Sequence, residues 1–309
     1  MTNRSLPRWG TAGALSLAIA IGACTTPEAP SNSQTTPTQT TTSPLSQVQA
    51  ESLGHAVALD ADAMIEGTGF DASAVIPVGL AETPMAASPA VLLSCQPSIS
   101  PFPPTNSDGD PIPDSVRIDF TGCAFTTRHG AVSLGGTIDF IDPTPDSTDH
   151  AIKTVFTGFN QTWTNANGDT TQAFTEDGMR EAIGTSSALQ FTEANFLTTW
   201  RFHQHAASHL KNWASTFTAD TAGTITSRRL PSGTWDINGA STYVRADSTA
   251  ADTMSLSVST SPGLHYNRTC TESPRFDSGT LTAVVTKQDS TATVTIDFTA
   301  CGTFTVTKS

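Results

Sequence analysis

The feature that most limits what this chain can become is a two-residue rhythm. In Val116-Arg117-Ile118-Asp119-Phe120 apolar side chains alternate with charged ones, and only a β-strand sends such a sequence to a core on one face and to water on the other. Similar runs are expected at residues 91–95, 115–125, 131–141, 151–163, 170–181, 189–202, 211–218, 234–245, 253–259, 264–270, 279–287 and 292–307. Thr recurs at the outward positions, where a β-branched polar residue suits a solvated sheet face. Turn signals separate the runs: Asn167-Gly168-Asp169, Leu230-Pro231-Ser232-Gly233, Ser261-Pro262-Gly263 and Asp277-Ser278-Gly279. Gly135, Gly136, Gly158 and Gly239 fall inside runs and predict bends or bulges in a strongly curved sheet. Strands at this spacing with short connections predict an antiparallel meander, which either closes as a barrel or curls over a helix. The expected class is mainly β: a large curved antiparallel meander sheet or barrel, one N-terminal helix packed on it, and two disulfides.

That helix is expected over residues 46–66. Ser46 and Gln49 have the spacing of a capping box, Val48, Leu53, Val57, Met64 and Ile65 form a loose apolar stripe, and Gly67 ends it. Residues 67–90 carry Pro77, Pro84 and Pro89 and read as an irregular connection.

Beyond Cys24 there are four cysteines, Cys95, Cys123, Cys270 and Cys301. An even count in an exported chain reads as two disulfides, with three pairings open. The favoured pairing is Cys95–Cys123 and Cys270–Cys301. Each pair ends in the same Ile-Asp-Phe-Thr-x-Cys core, followed shortly by a Phe, as if one structural device were used twice. Bridges between cysteines roughly thirty residues apart would each add about 3–4 kcal/mol. No Cys-x-x-Cys is present to suggest redox catalysis or a zinc ribbon.

The N-terminus explains the export. Arg4 and Arg8 precede an apolar run over residues 12–23, too short to span a bilayer and suited to a signal peptide. The run ends Ile21-Gly22-Ala23-Cys24, which resembles the lipobox of bacterial lipoproteins. The resemblance implies cleavage of residues 1–23 before Cys24 and acylation of its thiol and new amino group. Two or more acyl chains hold a protein stably on a membrane where one does not. Thr25, in place of Asp, implies outer-membrane delivery by the enterobacterial sorting rule. Residues 24–45 are rich in Thr, Ser, Pro and Gln and are expected to be a disordered tether. Residues 46–309 are then one β-rich domain.

With 15 Lys and Arg against 28 Asp and Glu, the chain carries a net charge of −13, and loss of the leader with its two Arg makes it more acidic. Nucleic acid needs basic patches, so it is not an expected partner, and no face is suited to lie flat on anionic lipid. A transmembrane barrel does not fit either, because apolar faces are sparse and the anchor is already supplied.

One stretch has the look of a metal site. In Asn106-Ser-Asp108-Gly-Asp110-Pro-Ile112-Pro-Asp114, oxygens fall at positions 1, 3, 5, 7 and 9 of a calcium-loop count, Ile112 contributing its carbonyl. These nine residues resemble the Asp-x-Asp-Gly-Asp-Gly-x-Pro-Asp loops of thrombospondin type 3 repeats, which implies structural calcium. Two departures stand out. Pro111 replaces the usual Gly, and Arg117 occupies position 12, where a carboxylate such as Asp119 would have to substitute. The other reading is an Asx-turn-rich loop without metal.

Weaker constellations read structurally. His203, His205 and His209 could hold zinc or copper, but their two spacings need different backbones. Asp277-Ser278-Gly279 is half of an aspartic-protease pair and reads as a hairpin turn. Gly67-Thr-Gly69-Phe-Asp-Ala72 is a degenerate dinucleotide fingerprint after a helix instead of a strand. Glu176, Asp177 and Glu181 cluster with Arg180 around Gly178 and read as an exposed charged hairpin. No Gly-x-Ser-x-Gly, His-Glu-x-x-His or P-loop occurs. The expected function is therefore a lipid-anchored envelope lipoprotein with a non-catalytic binding or scaffolding role. The alternatives are a carrier or sensor of an apolar ligand, held among Phe156, Phe159, Phe174, Phe191 and Phe196, and a hydrolase whose residues meet only in space.

Overall fold

Fourteen strands form one antiparallel meander in a computed structural model that describes residues 45–66, 95, 97–110, 112–127, 130–202, 205–225, 230–246 and 251–309. The leader with Cys24, the tether up to residue 44, the connection 67–94 with its Gly67–Ala72 motif, Pro111 and His203 lie outside the described residues. The expected class holds: mainly β, one N-terminal helix, and the disulfides Cys95–Cys123 and Cys270–Cys301.

The elements are β1 (Ser98–Ser100), β2 (Ser115–Asp119), β3 (Cys123–Thr127), β4 (Gly130–Ile141), β5 (His150–Thr164), β6 (Thr170–Gly184) and β7 (Ala188–Phe202). They continue with β8 (His205–Ala219), β9 (Gly233–Ala246), β10 (Ala251–Thr260), β11 (Leu264–Tyr266), β12 (Phe276–Lys287), β13 (Ser290–Ala300) and β14 (Thr303–Lys308). The ladder runs β1-β2-β4-β5-β6-β7-β8-β9-β10-β12-β13-β14, and among the described residues no ladder joins β14 back to β1. The sheet is open.

Two expected strands are broken, for different reasons. Residues 115–125 become β2 and β3, which lie end to end along β4 with a break at Gly122, where φ is +78°. Residues 292–307 become β13 and β14, a hairpin turning at Cys301-Gly302, where φ of Gly302 is +67°. The repeated core is therefore one sequence put to two uses, an interrupted strand and a hairpin. The expected strand 264–270 stops at Tyr266, because the Cys270 N–H turns back onto the Asn267 carbonyl. Of the expected strand 91–95 only Cys95 is described, outside any strand, and the first described strand begins at Ser98.

The helix α1 (Gln47–Glu66) begins as expected. Ser46 Oγ accepts the Gln49 N–H at 3.2 Å, and Gln49 Oε1 accepts the Ser46 N–H at 2.8 Å. Its buried stripe is Ala50, Leu53, Val57, Ala58, Ala61, Met64 and Ile65. Val48 is not part of it. It lies about 140° round the helix from Leu53 and is 65% exposed. Small residues bring α1 close to the sheet: a Cβ on Gly54 would stand 2.7 Å from Val306 Cγ1.

Curvature follows from what α1 touches. It packs on β12, β13 and β14, yet Asp60 also reaches His209 and Lys211 on β8. On a flat sheet the five spacings from β8 to β14 would span about 24 Å, twice the width of a helix of about 10–12 Å. The sheet must curl round α1. Phe159, Phe191, Phe196, Trp213, Phe217, Trp235 and Phe276 are buried, with Phe156 and Phe174 packed beside them, so the aromatics form a filled core. No helix among the described residues is long and apolar enough to cross a membrane.

Candidate functional site

A line of irregularities crosses four neighbouring strands. β5 carries one extra residue opposite both neighbours, between Thr157 and Asn160 against β4 and between Phe156 and Phe159 against β6. β7 carries one likewise, between Ala194 and Leu197 against β6 and between Glu193 and Phe196 against β8. The residues on this line, Gly136, Gly158, Gly178 and Asn195, have φ of +79°, +56°, +109° and +49°. Glycine is required on the unbulged strands, because a Cβ on Gly136 would stand 2.2 Å from the Gly158 carbonyl oxygen and one on Gly178 2.3 Å from that of Asn195. Side chains staple the line: Asp177 Oδ1 accepts the Gly158 N–H at 2.6 Å, and Asn212 Oδ1 accepts that of Asn195 at 2.9 Å. The bulge expected at Gly158 is present, with Gly136 opposite it on β4. Gly239 instead lies in unbroken register, where a Cβ would collide with the Asn212 carbonyl oxygen and with Trp213.

Across this line, on the face toward α1, lies a chain of charges. Arg180 Nε donates to Glu193 Oε1 at 2.9 Å, and its guanidinium carbon stands 3.9 Å from the Phe196 ring centroid. Lys211 Nζ lies 3.2 Å from Glu193 Oε2 and 3.4 Å from Asp60 Oδ1 on α1. His209 Nδ1 lies 3.1 Å from Asp60 Oδ2. Glu193 and Lys211 are 1% and 2% exposed. Burial works against ionisation of Asp60, but Lys211 and the His209 hydrogen bond outweigh it and hold its carboxyl well below the usual carboxylate range. Burial pushes the Glu176 carboxyl up, with Arg180 and Lys211 only partly offsetting it. These charges therefore serve one another beneath a helix.

This overturns the expectation of an exposed charged hairpin at residues 176–181. Gly178 lies in the middle of β6 as part of the bulge line, and Glu176 and Arg180 face inward. Nothing in the spacing of β6 alone signals this, because the partners Glu193, Lys211 and Asp60 come from other elements. Of the three histidines, His203 lies outside the described residues, His205 opens β8, and His209 is taken up by Asp60 in the chain of charges.

Asp277-Ser278-Gly279 is not a hairpin turn but lies within β12. Asp277 Oδ1 and Asp220 Oδ2 take the two ring nitrogens of His265, Nδ1 at 2.6 Å and Nε2 at 3.1 Å, and Asn267 Nδ2 donates to Asp277 Oδ2 at 2.7 Å. Both imidazole nitrogens are committed, so the group is an ion triad with no free ring nitrogen to act as a base.

The acidic loop divides. Asn106 Oδ1 accepts the Gly109 N–H, and Asn106 Nδ2 donates to the Asp110 carbonyl. Asp114 takes the Ser107 N–H and Oγ, both at 2.7 Å, and Ile112 is buried in the core. Asp108 and Asp110 instead face Asp142, at the exit of β4. One carboxylate oxygen of each of the three lies within 4.8 Å of the others. Asp119 is elsewhere, accepting the Thr121 N–H. Burial raises the Asp110 carboxyl, with Asp108 and Asp142 adding to it, against the Ile112 N–H and His150. Two ionised carboxylates about 5 Å apart repel by roughly 3 kcal/mol at an effective dielectric near 20, more than the roughly 1 kcal/mol net of one loop hydrogen bond.

Asp142 could not be found from the nine-residue count, because β2, β3 and β4 separate it from the loop in sequence. Against known proteins, no family model, no curated protein and no solved structure matches this chain.

Proposed function

We propose that the chain is a lipid-anchored protein of the bacterial cell envelope, attached through Cys24 and delivered to the outer membrane, with a non-catalytic binding or scaffolding role. The observation that carries the role is the closure of the concave face. α1 lies across it, Asp60 is tied to His209 and Lys211, and the aromatic core is filled behind them. Contact with a partner is then left to the Thr-bearing outer face and the loops. Anchoring is supported by where the folded body starts. The Leu45 carbonyl accepts a hydrogen bond from Lys308 Nζ at 2.6 Å and Ser46 caps α1, immediately after the Thr- and Pro-rich stretch.

Metabolic labelling with a palmitate analogue, followed by membrane fractionation, tests the anchor. Wild type should be labelled and sediment with outer membranes, and Cys24→Ser should lose both. A label that survives in Cys24→Ser sinks the reading. Native mass spectrometry of protein from its host tests the role, since a co-purifying lipid would favour an apolar-ligand carrier in which α1 gives way.

A further inference from the structure

We infer that Asp108, Asp110 and Asp142 form a calcium site in which Asp142, from outside the acidic loop, is the closing ligand. The three carboxylates converge from two parts of the chain, and one oxygen of each lies within 4.8 Å of the others, no farther apart than opposite ligands of a calcium ion held at about 2.4 Å. Each carboxylate has one oxygen already fixed by a backbone N–H: Asp108 Oδ1 by Asp110, Asp110 Oδ1 by Ile112, and Asp142 Oδ1 by Thr144. Fixing one oxygen orients the other. Asp142 is 3% exposed, and its Oδ2 is buried with no hydrogen-bond partner among the described residues, as is Asp108 Oδ2. Buried acceptors of this kind are satisfied in native proteins by a donor or a cation. Three negative groups facing one point favour a cation.

The donor set is oxygen only, which suits a hard ion and not zinc or copper. The loop and strand are already registered to each other, since the Asp142 N–H donates to the Asp114 carbonyl at 3.1 Å. The assignment differs from the nine-residue loop count: Asn106 and Asp114 spend their side chains inside the loop, and Asp142 supplies the carboxylate that Arg117 cannot. It stands independently of the membrane anchor.

The test is calorimetric titration of CaCl2, with MgCl2 as control, into the full chain purified in detergent and stripped of metal. One calcium per chain is expected in wild type. Asp142→Asn should weaken it by about tenfold or more, and Asp114→Asn should stay within about twofold. Should Asp142→Asn fail to fold by near-ultraviolet circular dichroism, Asp108→Asn, on the outer loop, carries the same expectation. No bound calcium, magnesium binding as tightly as calcium, or equal losses in Asp114→Asn and the cluster variant would each overturn the assignment.

Discussion

Asp60 on α1 and Lys211 on β8, 151 residues apart in sequence, meet at 3.4 Å on the concave face of the sheet. Lys211 is almost wholly buried, so removing Asp60 leaves Glu193 as the one carboxylate beside a cation that water hardly reaches. Asp60→Ala should cost about 2 kcal/mol in urea unfolding, less than breaking an isolated buried pair because Glu193 still faces Lys211, and Asp60→Ala combined with Lys211→Met should cost less than the sum of the two single variants. Because the Asp60 carboxyl is held low, its contribution is present above its ordinary value of 3.8 and lost only as pH falls through the lowered one. A variant pair that adds independently would show that the two groups do not act on each other.

Gly54 is where α1 comes closest to β14. Gly54→Ala should destabilise by about 1–3 kcal/mol through collision with Val306, and Val306→Ala should relieve it. If Gly54→Ala instead stabilises, as helix propensity alone would have it, α1 does not pack this closely.

The triad around His265 gives a pH signature. Partial burial disfavours the charged ring, but the hydrogen bonds with Asp277 and Asp220 outweigh it and raise its pKa above 6.5. A raised His contributes stability fully below its unfolded value and loses it as pH rises through the folded value. The melting temperature of wild type should therefore exceed that of His265→Asn by more at about pH 5.5 than at about pH 9. Equal gaps at the two pH values would count against a charged triad.

Calcium should act on stability as well as on binding. For a dissociation constant of about 0.1–1 mM, 5 mM CaCl2 adds about 1–2 kcal/mol, read as a rise in melting temperature. Asp110→Asn should abolish that rise, yet in chelator it should be as stable as wild type or more so, since it removes one of three repelling charges. An Asp110→Asn chain that melts lower in chelator would mean the carboxylate supports the loop by itself.

Reduction should be costly at the C-terminal end. Cys270–Cys301 closes a loop with a sequence separation of 31, and replacing both cysteines with serine should lose about 3–4 kcal/mol in chemical unfolding.

Much of this architecture can be read along the chain because it is local. The capping box at Ser46 and Gln49, the turn at Asn167-Gly168-Asp169 and the alternation in β2 each involve neighbours within a few residues. The Asn167 and Asp169 N–H groups, for example, are both taken by Asn165 Oδ1. What cannot be read is whatever one element does to another. Gly178 looks like a turn because its reason for being glycine, the Asn195 carbonyl, lies on the next strand. Asp277 looks like a turn residue because His265 and Asp220 are brought to it only by the folded sheet. The acidic loop is visible as a cluster of oxygens, but the sorting of Asp114 to Ser107 and of Asp110 toward Asp142 depends on where β4 ends.

The bulge line across β4 to β7 also sets how substitutions must be interpreted. On β7, Leu189, Phe191 and Glu193 point inward at odd numbers, whereas Phe196 and Thr198 do so at even ones. β5 switches the other way, from Ile152 and Thr154 to Phe159 and Gln161. Each of these strands therefore holds two half-strands of opposite phase spliced at a single residue. Deleting Gly158 or Asn195 would do more than remove a bend. It would turn one half of the strand inside out, sending core aromatics to water and threonines to the core, so these two positions set the strand's reading frame.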